Sequence, residues 1–168
     1  MTSEADVCPI DDATDGRCDV KIRHILLAED NPNDVELTLA ALEEQGLAQR
    51  VEVVKDGVEA LDYLYCREKY AGRNTGTPAV ILLDLKMPRL NGLEVLQAIR
   101  ADPGLQLVPV VILTSSREEG DLIKGYKLGA NAYVVKPVHF EDFMKAVRDL
   151  GMFWALLNEP PPNADLPR

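Results

Sequence analysis

With 168 residues, of which 46% are hydrophobic and 27% charged, the chain has the size and balance of one globular domain rather than of a disordered tail. A formal net charge of −10 argues against nucleic acid as a partner, since affinity for a phosphate backbone comes mainly from Lys and Arg. No apolar run approaches the roughly 20 residues that span a bilayer, and the acidic start from Met1 to Asp15 has neither the basic nor the apolar region of a secretory signal, so no membrane partner and a cytoplasmic location are expected.

Residues 1–20, rich in Asp and small side chains, are expected to be a disordered acidic extension. The folded domain should occupy residues 21–150, followed by a C-terminal arm over 151–168 in which Pro160, Pro161 and Pro162 forbid helix. Inside the domain, strand-length apolar runs alternate with stretches of helical periodicity, which predicts five βα units and an α/β fold on a parallel sheet. The strands fall at Ile25–Ala28, Val51–Val54, Val80–Leu83, Val110–Leu113 and Ala132–Val135. The first, third and fourth are apolar without alternation, as central strands covered on both faces should be.

The first helix should run from near Asn33, its natural cap, to Gly46, with Val35, Leu39 and Leu42 on its inner face. The others are expected over Val58–Tyr70, Gly92–Ala101, Arg117–Leu128 and Phe140–Leu157. Between the second helix and third strand, Ala71–Pro78 carries Gly72, Asn74, Gly76 and Pro78 and reads as an exposed loop.

Open parallel sheets bind ligands outside the carboxyl ends of their strands. Glu29 and Asp30 follow the first strand, Asp84 the third, Thr114 the fourth and Lys136 the fifth. Three carboxylates so gathered repel one another, each pair costing roughly 4 kcal/mol at about 4 Å and an effective dielectric near 20. Lys136 offsets only part of that. A hard divalent cation resolves the rest, and an all-oxygen carboxylate site suits Mg²⁺ better than zinc or copper. Cys8, Cys18 and Cys66 form no Cys-x-x-Cys pair and read as inert thiols, with a Cys8–Cys18 link as the alternative. With the cations in place, Asp84 can attack a phosphoryl group and the Thr114 hydroxyl can donate to one of its oxygens.

At these residues the chain resembles the response-regulator receiver family. The motifs are Leu27-Ala28-Glu29-Asp30, Asp84-Leu85-Lys86-Met87-Pro88 with Asn91-Gly92, Leu113-Thr114-Ser115, and Tyr133-Val134-Val135-Lys136-Pro137, in that order between about Lys21 and Leu150. The resemblance implies a flavodoxin-like doubly wound sheet of five strands in the order 2-1-3-4-5 with five helices. It implies Asp84 as phosphoacceptor, Glu29, Asp30 and Asp84 with the Lys86 main-chain carbonyl as Mg²⁺ ligands, Lys136 as the lysine paired with the acceptor, and Thr114 with Tyr133 as a switch pair. The Lys136–Pro137 bond is implied to be cis. Lys86 and Ser116 stand where the family tunes phosphoryl lifetime.

Too few residues remain after Leu150 for an effector domain, so output is expected through protein contact, at the face of the fourth helix, fifth strand and fifth helix. In the last helix Phe140, Phe143, Val147, Leu150, Trp154 and Leu157 follow alternating three and four spacing, while Met144, Met152, Phe153 and Leu156 add a surplus. That surplus predicts a homodimer, with residues 153–157 reaching across; Gly151 either stays within the helix at a cost of about 1 kcal/mol or ends it and leaves an extended arm. The Ala71–Pro78 loop and the Phe153-Trp154 tail resemble the small regulators of phytochrome-type sensor histidine kinases. Two other readings stand beside the receiver: a haloacid-type aspartyl phosphatase, whose second Asp is here Lys86, and a pseudo-receiver that serves only for docking.

Overall fold

Apolar runs too short for helices, interleaved with longer amphipathic ones, produce the expected sheet. The computed structural model describes residues 23–115, 117–136 and 139–161. The acidic extension over 1–20, with Cys8 and Cys18, the tail beyond Pro161, Ser116 and the bond to Pro137 lie outside the described residues. Strands β1 (Ile25–Ala28), β2 (Val51–Val54), β3 (Val80–Leu83), β4 (Val110–Thr114) and β5 (Ala132–Val135) are all parallel and ordered β2-β1-β3-β4-β5. Register pairs Ala28 with both Val54 and Leu83, and Thr114 with Val135, which brings the carboxyl ends level.

Helices α1 (Pro32–Glu43) and α5 (Phe140–Met152) cover one face, and α2 (Gly57–Leu64), α3 (Gly92–Ala101) and α4 (Glu119–Lys127) the other. Because side chains alternate along a strand, Ile25 and Leu27 pack with Leu42, Phe143 and Val147, whereas Leu26 and Ala28 pack with Leu64, Val95 and Ile99. Each such buried Ile, Leu, Val or Phe side chain contributes roughly 1.5–3 kcal/mol.

Far from the carboxyl ends, the Arg100 guanidinium ties two loops together. It donates to the carbonyls of Gln106 and Val108 ahead of β4, and to the carbonyl of Gly129 and Oδ1 of Asn131 ahead of β5. Asn131 Oδ1 also accepts from the backbone N–H of Val110, at 2.9 Å.

Several boundaries differ from expectation. The cap of α1 is Asn31, whose Oδ1 accepts from the Asn33 N–H at 3.0 Å; Pro32 then takes the first helical position, where its missing N–H costs nothing. Thr38, Ala41 and Leu42 are the buried face of this helix, while Val35 and Leu39 are half-buried. Helix α2 stops at Leu64 because Cys66 and Glu68 adopt left-handed φ of 54° and 49°, and a 3₁₀ turn over Glu68–Tyr70 follows. Helix α4 starts at Glu119 rather than Arg117. The Ala71–Pro78 loop is exposed only in part, since Thr77 and Pro78 are buried. Arg73 pins that loop by stacking 4.0 Å from the Tyr63 ring centre and donating to the Gly76 carbonyl at 2.7 Å.

Helix α5 runs through Gly151 to Met152, so of the two readings of this glycine the one that ends the helix and leaves an extended arm is not met. Gly151 is buried against α1, where a Cβ would stand 2.3 Å from Cδ2 of Leu42, so the small residue allows the two helices to close. The chain continues as a π-helical turn over Phe153–Leu157. Ala155 is buried and Trp154 and Leu156 pack on the chain's own core, leaving Phe140, Phe153 and Leu157 as the large exposed apolar side chains of this region.

Candidate functional site

Strand ends position the carboxylates. The buried Glu29 follows β1, its backbone N–H donating to the Val54 carbonyl, and its Oε1 accepts from the Asn31 N–H at 3.0 Å. Asp30, the next residue, is exposed. Asp84 follows β3 and is buried; its N–H bonds the Ala28 carbonyl at 3.0 Å, and Oδ2 accepts from the Lys86 N–H at 3.1 Å. Glu29, Asp30 and Asp84 each present a carboxylate oxygen, all within 4.8 Å of one another. That donor set is the one a hard divalent cation prefers, and charge repulsion among the three gives it a reason to bind.

The segment after Asp84 is held from two sides. Asn91 and Glu94 form a reciprocal capping box at the start of α3, with bonds of 3.1 and 2.9 Å. Arg89, at a left-handed φ of 65°, pairs with Asp56 at 2.5 Å, and Asp56 in turn caps α2 through the Glu59 N–H.

Lys136 enters from the end of β5, its N–H bonded to the Thr114 carbonyl at 2.7 Å. Its ammonium donates to Oε2 of Glu29 at 2.5 Å and to Oδ2 of Asp34 at 2.7 Å, and stands 3.5 Å from Oδ1 of Asp84. Burial alone would lower the Lys136 pKa, but the bonds to Asp34 and Glu29 and the charge of Asp84 outweigh it and hold the pKa above the usual lysine value. For Glu29 burial wins, and its pKa lies above the ordinary carboxylate value despite the Lys136 ammonium.

Thr114 is fully buried at the end of β4, and Tyr133 on β5 is half-buried against the α2–α3–α4 face. Its ring adjoins α4, where a Cβ on Gly125 would lie 3.4 Å from Tyr133 Cδ2. All of Glu29, Asp30, Asp84, Thr114 and Lys136 therefore meet at one end of the sheet, with Tyr133 behind them. Asp34 was not among the residues expected from the sequence. It sits in the first turn of α1, from which its carboxylate reaches Lys136.

Comparison with known proteins agrees with this architecture. Residues 25–148 match the model of the response regulator receiver domain. The bacteriophytochrome response regulator AtBRR is 60% identical, covering 82% of this chain and 99% of that one with a TM-score of 0.66. The phosphorylated cyanobacterial phytochrome response regulator RcpA is 36% identical over 83% of this chain and 98% of its own, with a TM-score of 0.77. Rcp1 of Synechocystis sp., in its Mn²⁺-bound form, is 34% identical over 83% and 99%, with a TM-score of 0.75. A parallel sheet in the receiver order, a carboxylate cluster at its carboxyl end and a family match across most of the chain lead to one conclusion: the chain belongs to the response regulator receiver family and serves two-component signalling.

Proposed function

We propose that Asp84 is the phosphoacceptor, receiving a phosphoryl group from a sensor histidine kinase, and that the phosphorylated chain signals through protein contact. The observation that carries this reading is the meeting of Glu29, Asp30 and Asp84 within 4.8 Å beside a lysine ammonium and a buried threonine. An Asp84 oxygen attacks phosphorus, the P–O bond forms as the P–N bond to the donor histidine breaks, and the leaving imidazole keeps the electron pair. The bond from the Lys86 N–H fixes Oδ2 and turns Oδ1 toward Lys136. Lys136 and the Thr114 hydroxyl meet the charge on the transferred oxygens. Glu29, Asp30, Asp84 and the Lys86 main-chain carbonyl would hold Mg²⁺, which supplies charge neutralisation for an anionic donor.

Thr114 and Tyr133 act as the switch, the ring following the hydroxyl inward beside Gly125. The chain promotes only its own phosphorylation and dephosphorylation and turns over no separate substrate. The kinase is of the phytochrome type, a reading supported by relatives that are themselves phytochrome response regulators. The protein works in the cytoplasm without nucleic acid; among the described residues no helix is long and apolar enough to cross a membrane. It pairs as a homodimer through α5 and the turn over Phe153–Leu157, for which the exposed Phe140, Phe153 and Leu157 offer apolar contact.

Incubation with acetyl phosphate and Mg²⁺, read by intact mass, tests the core of this reading. Wild type should gain one phosphoryl group and Asp84→Asn none. A wild type that gains no mass would be a docking module instead, and one that consumes many donor molecules without retaining phosphate would be a phosphatase.

A further inference from the structure

Lys136 has three N–H donors, and two are committed to Glu29 and Asp34 at hydrogen-bond length. The third carboxylate, Asp84, is left at 3.5 Å, beyond a normal hydrogen bond. Asp84 has one oxygen fixed by the Lys86 N–H, so Oδ1 is the oxygen that the ammonium would take if it moved. An ammonium seated on Oδ1 would cover the oxygen left open to the incoming phosphorus and neutralise charge that Asp84 lends to the metal cluster. Among the three acids around Lys136, Asp34 is the one outside the metal cluster, so its carboxylate can hold the lysine without giving up a metal ligand.

We infer that Asp34 is a positioning residue: it holds the Lys136 ammonium on the α1 side of the site, near Asp84 but off it, and so keeps the acceptor oxygen open. This rests on the reading of Asp84 as acceptor and Glu29, Asp30 and Asp84 as metal ligands. When a cation claims Glu29, Asp34 remains as the anchor that prevents the ammonium from collapsing onto Asp84. The arrangement is rigid on the Asp34 side, because the residue lies in the first turn of a helix capped by Asn31.

A double-mutant cycle on Mn²⁺ affinity separates this role from simple charge. Mn²⁺ is titrated by isothermal calorimetry into wild type, Asp34→Asn, Lys136→Ala and the double variant. Removing a nearby negative charge weakens cation binding in any background. Release of the lysine onto Asp84 weakens it only where the lysine exists. Asp34→Asn should therefore weaken Mn²⁺ binding about tenfold more with Lys136 present than without it, a coupling within the range of residues that share an ion-pair network. Asp34→Glu, which restores the carboxylate, should return affinity toward wild type. Equal losses in the two backgrounds, or no loss in Asp34→Asn, would overturn the inference, and so would a wild type that binds no Mn²⁺. Failure of the acceptor assignment reads differently: Mn²⁺ still binds and the coupling persists, but acetyl phosphate adds no mass at Asp84.

Discussion

Gly92 lies directly against the backbone of Asp84: a Cβ on Gly92 would stand 2.3 Å from the Asp84 carbonyl oxygen and 2.9 Å from Cα of Leu85. No rotamer can relieve such a contact, because both neighbours are main chain. Gly92→Ala should cost about 3 kcal/mol or more in urea unfolding, at the upper end for overpacking. The same displacement should slow phosphoryl gain from acetyl phosphate in whatever fraction remains folded.

Gly151 meets a softer neighbour. The nearest atom to its missing Cβ is the end of the buried Leu42 side chain, which can shift. Ala gains about 1 kcal/mol of helix propensity over Gly, against about 1–3 kcal/mol for overpacking. Gly151→Ala should therefore destabilise by about 1 kcal/mol in chemical denaturation. In a Leu42→Ala background, where the space is vacated, the same change should stabilise.

His24 is held neutral inside the fold, its ring edge-on to Tyr63 at 6.0 Å between centroids. Burial, with Arg73 and Arg23 nearby, lowers its pKa from 6.5 to about 4. Its unfolded form therefore binds a proton across a window in which the fold does not. Stability is fully present above about pH 6.5 and falls as pH drops toward 4, by about 2 kcal/mol between pH 7 and 4.5 from this group alone. Unfolding curves of His24→Phe at pH 7 and 4.5 should differ by that much less than those of wild type.

Phe153 and Leu157 are 48% and 71% exposed, whereas Trp154, Ala155 and Leu156 between them face the chain's own core. Substituting both exposed residues by Ser should leave thermal stability within about 0.5 kcal/mol, as surface changes do. Sedimentation at micromolar concentration should then show a dimer for wild type and a monomer for the double variant. Two dimeric samples would remove these side chains from the interface.

The strands were legible because their signal is local. Val80 to Leu83, an unbroken apolar run of strand length, reads as a doubly covered strand, and its bounds coincide with those read from sequence. The end of α2 was not legible, since nothing in a run of helix-compatible residues announces that Cys66 and Glu68 take left-handed φ. The surplus apolar residues after Gly151 were read as an intermolecular arm. Their main use is intramolecular, a fact set by the packing of α5 on α1 rather than by spacing. Glu29, Asp30, Asp84, Thr114 and Lys136 were found because each follows a strand. Asp34 follows none, and its bond to Lys136 spans 102 positions of sequence. An Asp two residues past an Asn-Pro helix start, one turn beyond the acidic pair, is the signal that could have pointed to it.

Arg100 gathers carbonyls from the approaches to β4 and β5 onto a single planar group, at the opposite end of the sheet from Thr114 and Lys136. Two neighbouring strands fastened at their amino ends behave like a reed clamped at its base. Any displacement of the strand tips would then be taken up as bending rather than as sliding of one strand past the other.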